Sequence, residues 1–253
     1  MSAKSKIEWT DATWNPARGC TKVSPGCQNC YAEKFAERFR GVPGHPFEFG
    51  FDLRIVPEKI SEPLKWKVPR MIFVNSMSDL FHEFIPDEYI ENCFDTMAKA
   101  NWHTFQVLTK RPERMRKLFS TRLKKYSHLT HIWCGVTVEN KKHGIPRIDI
   151  LRQTHCAVKF LSVEPLLEHL GDVNLNDIDW LIVGGESGGR SRPLKREWVK
   201  DLQIQCESQQ VPFFFKQWGG FNKKLNGREL DGQIYSAMPN LFEPVLIPQA
   251  TYG

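Results

Sequence analysis

HTFQVLTKRP, residues 103–112, decides the fold. An apolar run from Phe105 to Leu108 stops at the polar triplet Thr109-Lys110-Arg111. Pro112 then opens a segment with Met115, Leu118 and Phe119 at helical spacing. A buried strand followed at once by a proline-started helix is half of a β–α–β unit. The pattern recurs on both sides. Upstream, RMIFVNS (70–76) leads into Ser76-Met77-Ser78-Asp79, and Pro86 opens a helix carrying Ile90, Phe94, Met97 and Ala98. Downstream, HIWCGVTV (131–138) ends at Glu139-Asn140, with a short helix expected from about Pro146. AVKFLSV (157–163) ends at Glu164-Pro165, and DWLIVGG (179–185) runs into Glu186. REWVKDLQIQCE (196–207) is an amphipathic helix bearing Trp198, Val199, Leu202 and Cys206, and VPFFFKQWGG (211–220) is the last strand.

Strand and helix alternate with about 25–35 residues per unit, as β–α–β units need. The strands are nearly continuous apolar runs, which predicts a parallel sheet buried on both faces. About six or seven such units form an α/β fold that curls into a partial or complete (β/α) barrel. Polar residues just past each strand then gather on one rim: Ser78, Asp79, Lys110, Glu139, Asn140, Glu164 and Glu186. IEWTDATWNP (7–16) is expected as a short first strand, and a short helix is expected around Glu58 to Trp66. The absence of a low-complexity linker favours one domain over residues 1–253, with 219–253 as an irregular C-terminal extension packed on it.

The loop after the first strand, GCTKVSPGCQNCYA (19–32), places Cys20, Cys27 and Cys30 in a Gly/Pro/Ser-rich turn on that same rim. YAEKFAERF follows, with Tyr31, Phe35 and Phe39 on one helical face, read as a core stripe or as a wall beside the cysteines. The chain has seven cysteines. Cys93, Cys134, Cys156 and Cys206 are scattered in apolar surroundings, which excludes a secreted disulfide framework and reads as buried thiols. Cys134 also lies near a rim, where a thiol could return a hydrogen atom to a substrate radical. The N-terminal residues lack an apolar leader, and no apolar run approaches a membrane span, so the chain is placed in a reducing cytoplasm. The net charge of +6 admits nucleic acid as a partner without demanding it. Phe213 to Trp218, with Lys223, Lys224 and Arg228 behind, reads as a core strand with a solvated tail or as a nucleic-acid stacking surface.

Three thiolates can serve two chemistries. With a fourth ligand such as His45 or His82 they would close a structural zinc site, making a zinc-stapled module that binds nucleic acid or protein. Without one they hold three corners of a [4Fe–4S] cube and leave one iron open to a small molecule. A third reading, a hydrolase, would pair Glu164 with Glu186 and make no use of the cysteines.

NPARGC…GCQNCYA resembles the cluster loop of radical S-adenosylmethionine enzymes related to spore photoproduct lyase, which start N-P-x-x-G-C and finish C-x-x-C-Y-A. In order along the chain, NSMSD, QVLTK and GVTVEN resemble their second, third and fourth strand ends. Over nearly its full length the chain also resembles a phage- and bacterium-encoded "three-Cys-motif" group, through IEWTDATWNP, SMSDLFHE, FQVLTKRPERM, SVEPLL, IVGGESG and PFFFKQWG. Two departures stand out: the first gap is longer than C-x3-C, and Asn29 replaces an aromatic residue before the third cysteine. The resemblance implies a [4Fe–4S] cluster on Cys20, Cys27 and Cys30 that reductively cleaves S-adenosylmethionine to a 5′-deoxyadenosyl radical. It implies that Ser78, Lys110 and Thr137 hold that cofactor, with Lys110 on the methionyl carboxylate. Asp79, Glu164 and Glu186 would take its amino group or ribose, the GGE at Gly184 to Glu186 resembling an amine-binding motif. It further implies an electron-donating protein partner and a nucleotide or nucleic-acid substrate. It names no catalytic residue.

Overall fold

The computed structural model describes residue 5 and residues 7–239. The N-terminal residues 1–4 and the end of the expected C-terminal extension, 240–253, lie outside the described residues. Seven strands form one parallel sheet in sequential order: β1 Ala12–Trp14, β2 Met71–Val74, β3 Thr104–Thr109, β4 Ile132–Thr137, β5 Val158–Val163, β6 Trp180–Gly184 and β7 Phe213–Gln217. Parallel neighbours need a crossover. Helices α2 Asp87–Lys99, α3 Pro112–Phe119, α4 Lys141–Arg152 and α5 Arg196–Ser208 supply most of them. The first strand is short, as expected of its stretch. The segment around Glu58 to Trp66 forms two single turns, Pro57–Lys59 and Glu62–Lys65, because Pro57 and Pro63 each restart the chain. The fourth helix begins at Lys141, well before Pro146, because the Asn140 side chain accepts from His143 N–H and caps it there.

Alternation along the strands explains the continuous apolar runs. On β3 and β4, Phe105, Val107, Ile132, Cys134 and Val136 face the helices and join the larger core with Phe94, Met115 and Leu118. The opposite face is concave and holds its own core of Trp9, Phe73, Trp133, Phe160, Trp180 and Phe214. Its rings meet edge-on or tilted at 4.8–6.3 Å, the geometry aromatic quadrupoles prefer. Trp9, at the β1 end, reaches Trp180 on β6, so the sheet curls far enough for opposite sides to touch. The result is a half-barrel, open between β1 and β7 and plugged by aromatics. Gly135 is fixed by this plug: an added Cβ would lie 2.5 Å from the Phe160 ring.

The extension covers the β7 edge. Phe215 N–H donates to Tyr235 O at 3.1 Å and Ala237 N–H to Phe213 O at 3.3 Å. Phe213, Phe214 and Phe215 are buried, and Arg228 donates to the backbone carbonyls of Phe215 and Tyr235 while lying over the Phe214 ring. The core-strand reading therefore holds here, and those rings are not available to stack on bases. Among the described residues no helix is long and apolar enough to cross a membrane.

Candidate active site

The C-terminal ends of the strands open into a cavity of about 450 Å³. Its wall includes Cys20, Cys27 and Cys30 together with Ser78, Asp79, Lys110, Thr137, Glu164 and Glu186; Glu139 and Asn140, also expected on this rim, do not line it, Glu139 being buried against Arg147 and Asn140 capping α4.

The cysteine loop is laid across this mouth and pinned at several strand ends. Gly19 pairs alongside Ser78, its N–H donating to Met77 O at 3.0 Å while Ser78 Oγ donates to Gly19 O at 2.7 Å. Gly19 has φ +77°, and an added Cβ would lie 2.2 Å from Asp52 O, so only glycine turns the chain here. Thr21, in the longer first gap, shares a 2.9 Å hydrogen bond with His82 and accepts from Arg111 at 2.8 Å. Gly26 rests against Glu139, whose carboxylate is buried and paired with Arg147 at 2.5 Å. Asn29 donates to Glu186 and to Arg190 O, both at 2.9 Å. The extra residues of the first gap are thus anchored, and Asn29 has a structural task in place of the aromatic. Cys27 lies in the one-turn helix Pro25–Cys27, and Cys30 precedes helix α1, Tyr31–Ala36.

On α1 the buried residues are Ala32 and Ala36, which corrects the core-stripe reading. Tyr31 is 55% exposed and donates to Ser76 O; Phe35 is 42% exposed and packs with Phe39 and Phe47 in a small external aromatic cluster. His45 stacks on Phe39, and His82 is committed to Thr21, so neither offers a fourth ligand to the cysteines. Among the described residues no three His, Cys, Asp or Glu side chains gather around a single-ion position. Cys134 faces the helices in the outer core with no exposure, where burial raises its thiol pKa, so it cannot deliver a hydrogen atom to the mouth.

The polar ring divides by how its groups are already engaged. Asp79 Oδ1 accepts from Thr109 Oγ1 at 2.7 Å and Phe81 N–H at 3.0 Å; Oδ2 accepts from Lys110 N–H at 3.0 Å and Arg111 Nη1 at 3.2 Å. Both oxygens are taken, so Asp79 ties β2 to β3. Glu186 accepts from Asn29 and, at 2.5–3.0 Å, from the guanidinium and backbone N–H of Arg192. It clamps the cysteine loop to the β6 end. Glu164 accepts from Trp9 Nε1 at 3.3 Å and Ser162 Oγ at 3.1 Å, and pairs with Lys216 at 2.8 Å. Glu164 and Glu186 are thus each held by a separate cation, Lys216 and Arg192. Lys110 stands apart. One ammonium N–H goes to Thr137 Oγ1 at 3.3 Å, and among the described residues no carboxylate lies within ion-pair distance of it. Arg111, Lys216 and Lys22, the other cations lining this wall, are each paired with an acid.

Two shifts follow from these contacts. Burial and the nearby Asp79 carboxylate push the Cys20 thiol up to about 11, with the Arg111 guanidinium acting in the opposite direction. Burial would raise Glu186, but the Arg192 fork and N–H, with Asn29, outweigh it and hold the carboxyl below its ordinary 4.5. A depressed carboxyl stabilises the fold above its unfolded value, and that contribution fades as pH falls through the folded value. Glu186→Gln is therefore expected to melt below wild type at pH 7. The gap should narrow as pH drops below 4.5; a gap independent of pH would contradict the clamp.

Arg111, Asn29 and Lys216 were not among the expected site residues. Arg111 and Lys216 each leave a trace in the sequence. A cation just before a helix-opening proline opposes the helix dipole unless an acid holds it, and Lys216 interrupts an apolar strand.

The chain is an α/β half-barrel with a three-cysteine loop over the C-terminal end of its sheet, and its fold is similar to that of spore photoproduct lyase. A cysteine-to-serine mutant of that enzyme superposes with TM-score 0.53 at 12% identity, covering 85% of this chain and 78% of the other. A tyrosine-to-phenylalanine mutant gives 0.50 at 12% identity over 86% and 79%. The chain belongs to the family described as "Protein of unknown function (DUF5131)", whose model matches residues 4–239. No curated protein sequence matches it.

Proposed function

We propose that this protein is a radical S-adenosylmethionine enzyme whose cluster is held by Cys20, Cys27 and Cys30. One observation carries the reading. Three free thiols line the same cavity as Lys110, which among the described residues has no carboxylate within ion-pair distance. That donor set fits a group held at three corners and an amino-acid ligand beside it. A [4Fe–4S] cluster with S-adenosylmethionine supplies one-electron cleavage of the sulfonium and abstraction of a hydrogen atom from substrate.

The chain's own residues bind and orient. Lys110 supplies the charge for the methionyl carboxylate, and Thr137 steadies its ammonium. Ser78 and Asp79 hold the strand ends from which the loop and Lys110 project. Glu164, set against Lys216 and Ser162, offers a polar wall for an amino or hydroxyl group. Glu186 holds the loop down through Asn29. The aromatic plug beneath excludes water from the other end of the half-barrel. A nucleotide or nucleic-acid substrate and an electron-donating protein partner complete the proposal; the net charge of +6 suits the former.

The test is anaerobic reconstitution with iron and sulfide, then reduction with S-adenosylmethionine present. The product 5′-deoxyadenosine is expected; colourless protein with one bound zinc would refute the reading. Lys110→Met is expected to retain iron but weaken S-adenosylmethionine binding about 10- to 100-fold, the loss of one charge-assisted contact. Calorimetric titration checks this, and unchanged affinity would remove Lys110 from the site.

A further inference from the structure

We infer that Arg111 is a positioning residue that orients the Cys20 sulfur and raises the reduction potential of the cluster held there, an inference that rests on the function proposed above. Arg111 Nη1 donates to Cys20 Sγ at 3.5 Å. The same guanidinium grips the chain on either side of that contact. Nη2 donates to Thr21 Oγ1 at 2.8 Å and Thr21 O at 3.3 Å, which fixes the residue following Cys20. Nη1 also meets Asp79 at 3.2 Å, and Nε meets Glu83 at 2.9 Å. The side chain is only 10% exposed, so its charge is poorly screened. Every nitrogen of the planar fork is used, which a lysine could not reproduce.

Each electron added to an iron–sulfur group increases negative charge on its sulfurs. A cationic N–H donor on one of them therefore stabilises the reduced form more than the oxidised form. Arg111 thus favours reduction. Glu83 pulls the other way. Its carboxylate is 53% exposed, lies against the far side of the guanidinium and offsets part of its charge. The two residues should shift the potential in opposite directions, which a merely structural pair would not do.

The experiment is a redox titration, followed by electron paramagnetic resonance, on the full chain reconstituted with iron and sulfide. Wild type is compared with Arg111→Met, Arg111→Lys and Glu83→Gln, with iron content and melting temperature measured for each. Arg111→Met is expected to shift the potential negative and Glu83→Gln to shift it positive. Arg111→Lys should fall between wild type and Arg111→Met. If Arg111→Met fails to keep iron, the signs from Arg111→Lys and Glu83→Gln decide. Coincident potentials, or shifts of one sign in both classes of variant, would overturn the inference while leaving the cluster intact. Wild type that takes up no cluster would instead overturn the proposed function and this inference with it.

Discussion

Serine at Cys20, Cys27 or Cys30 is expected to cut iron incorporation from about four atoms per chain to less than about one. A cube tied at three corners has no spare attachment. After one thiolate is lost, neither histidine is placed to replace it, because His82 is bonded to Thr21 and His45 is stacked on Phe39. The alcohol of serine is a poor ligand for iron–sulfur clusters at neutral pH. Cys206→Ser is the control. That thiol is buried under α5 in the outer core, so the variant should lose some stability and keep its full iron content. Iron and acid-labile sulfide, measured after anaerobic reconstitution, check both statements. Full iron in any of the three loop variants would remove that cysteine from the ligand set.

The second large effect is on stability. Asp79→Ala is expected to cost about 3–5 kcal/mol, the range for stripping the acceptor from a buried, paired charge. Four donors lose their partner at once: the Thr109 hydroxyl, the backbone N–H groups of Phe81 and Lys110, and one arm of Arg111. Arg111 keeps Glu83, which limits the loss. Asp79→Asn retains the shape and one acceptor oxygen, so about half that cost is expected. Urea denaturation of the protein without cluster separates the variants. A cost below about 1 kcal/mol for Asp79→Ala would mean that the carboxylate does not hold β2 and β3 together at the mouth.

The strand ends explain how much of this was readable in advance. HTFQVLTKRP and its counterparts give strand, rim residue and helix start in a few letters, because a doubly buried parallel strand must be apolar until it reaches solvent. That rule placed Lys110, Glu164 and Glu186 on the mouth. It could not say whether a rim carboxylate was free, since its partner lies far along the chain: Glu186 meets Asn29, and Glu164 meets Trp9 and Lys216. The α1 stripe misled for a related reason. Spacing puts Tyr31, Phe35 and Phe39 on one face but does not say which face is buried, and the buried residues are the small Ala32 and Ala36. The broken turns at Pro57 and Pro63 follow from local chemistry that an apolar count passes over.

The direct test of the central claim is the electron paramagnetic resonance spectrum of the reduced, reconstituted protein before and after S-adenosylmethionine is added. A cluster with one iron open to the cavity predicts a [4Fe–4S] signal whose g values move when the ligand arrives, and move far less in Lys110→Met at the same concentration. A signal unchanged by saturating S-adenosylmethionine, or a protein that holds one zinc and no iron, would contradict it.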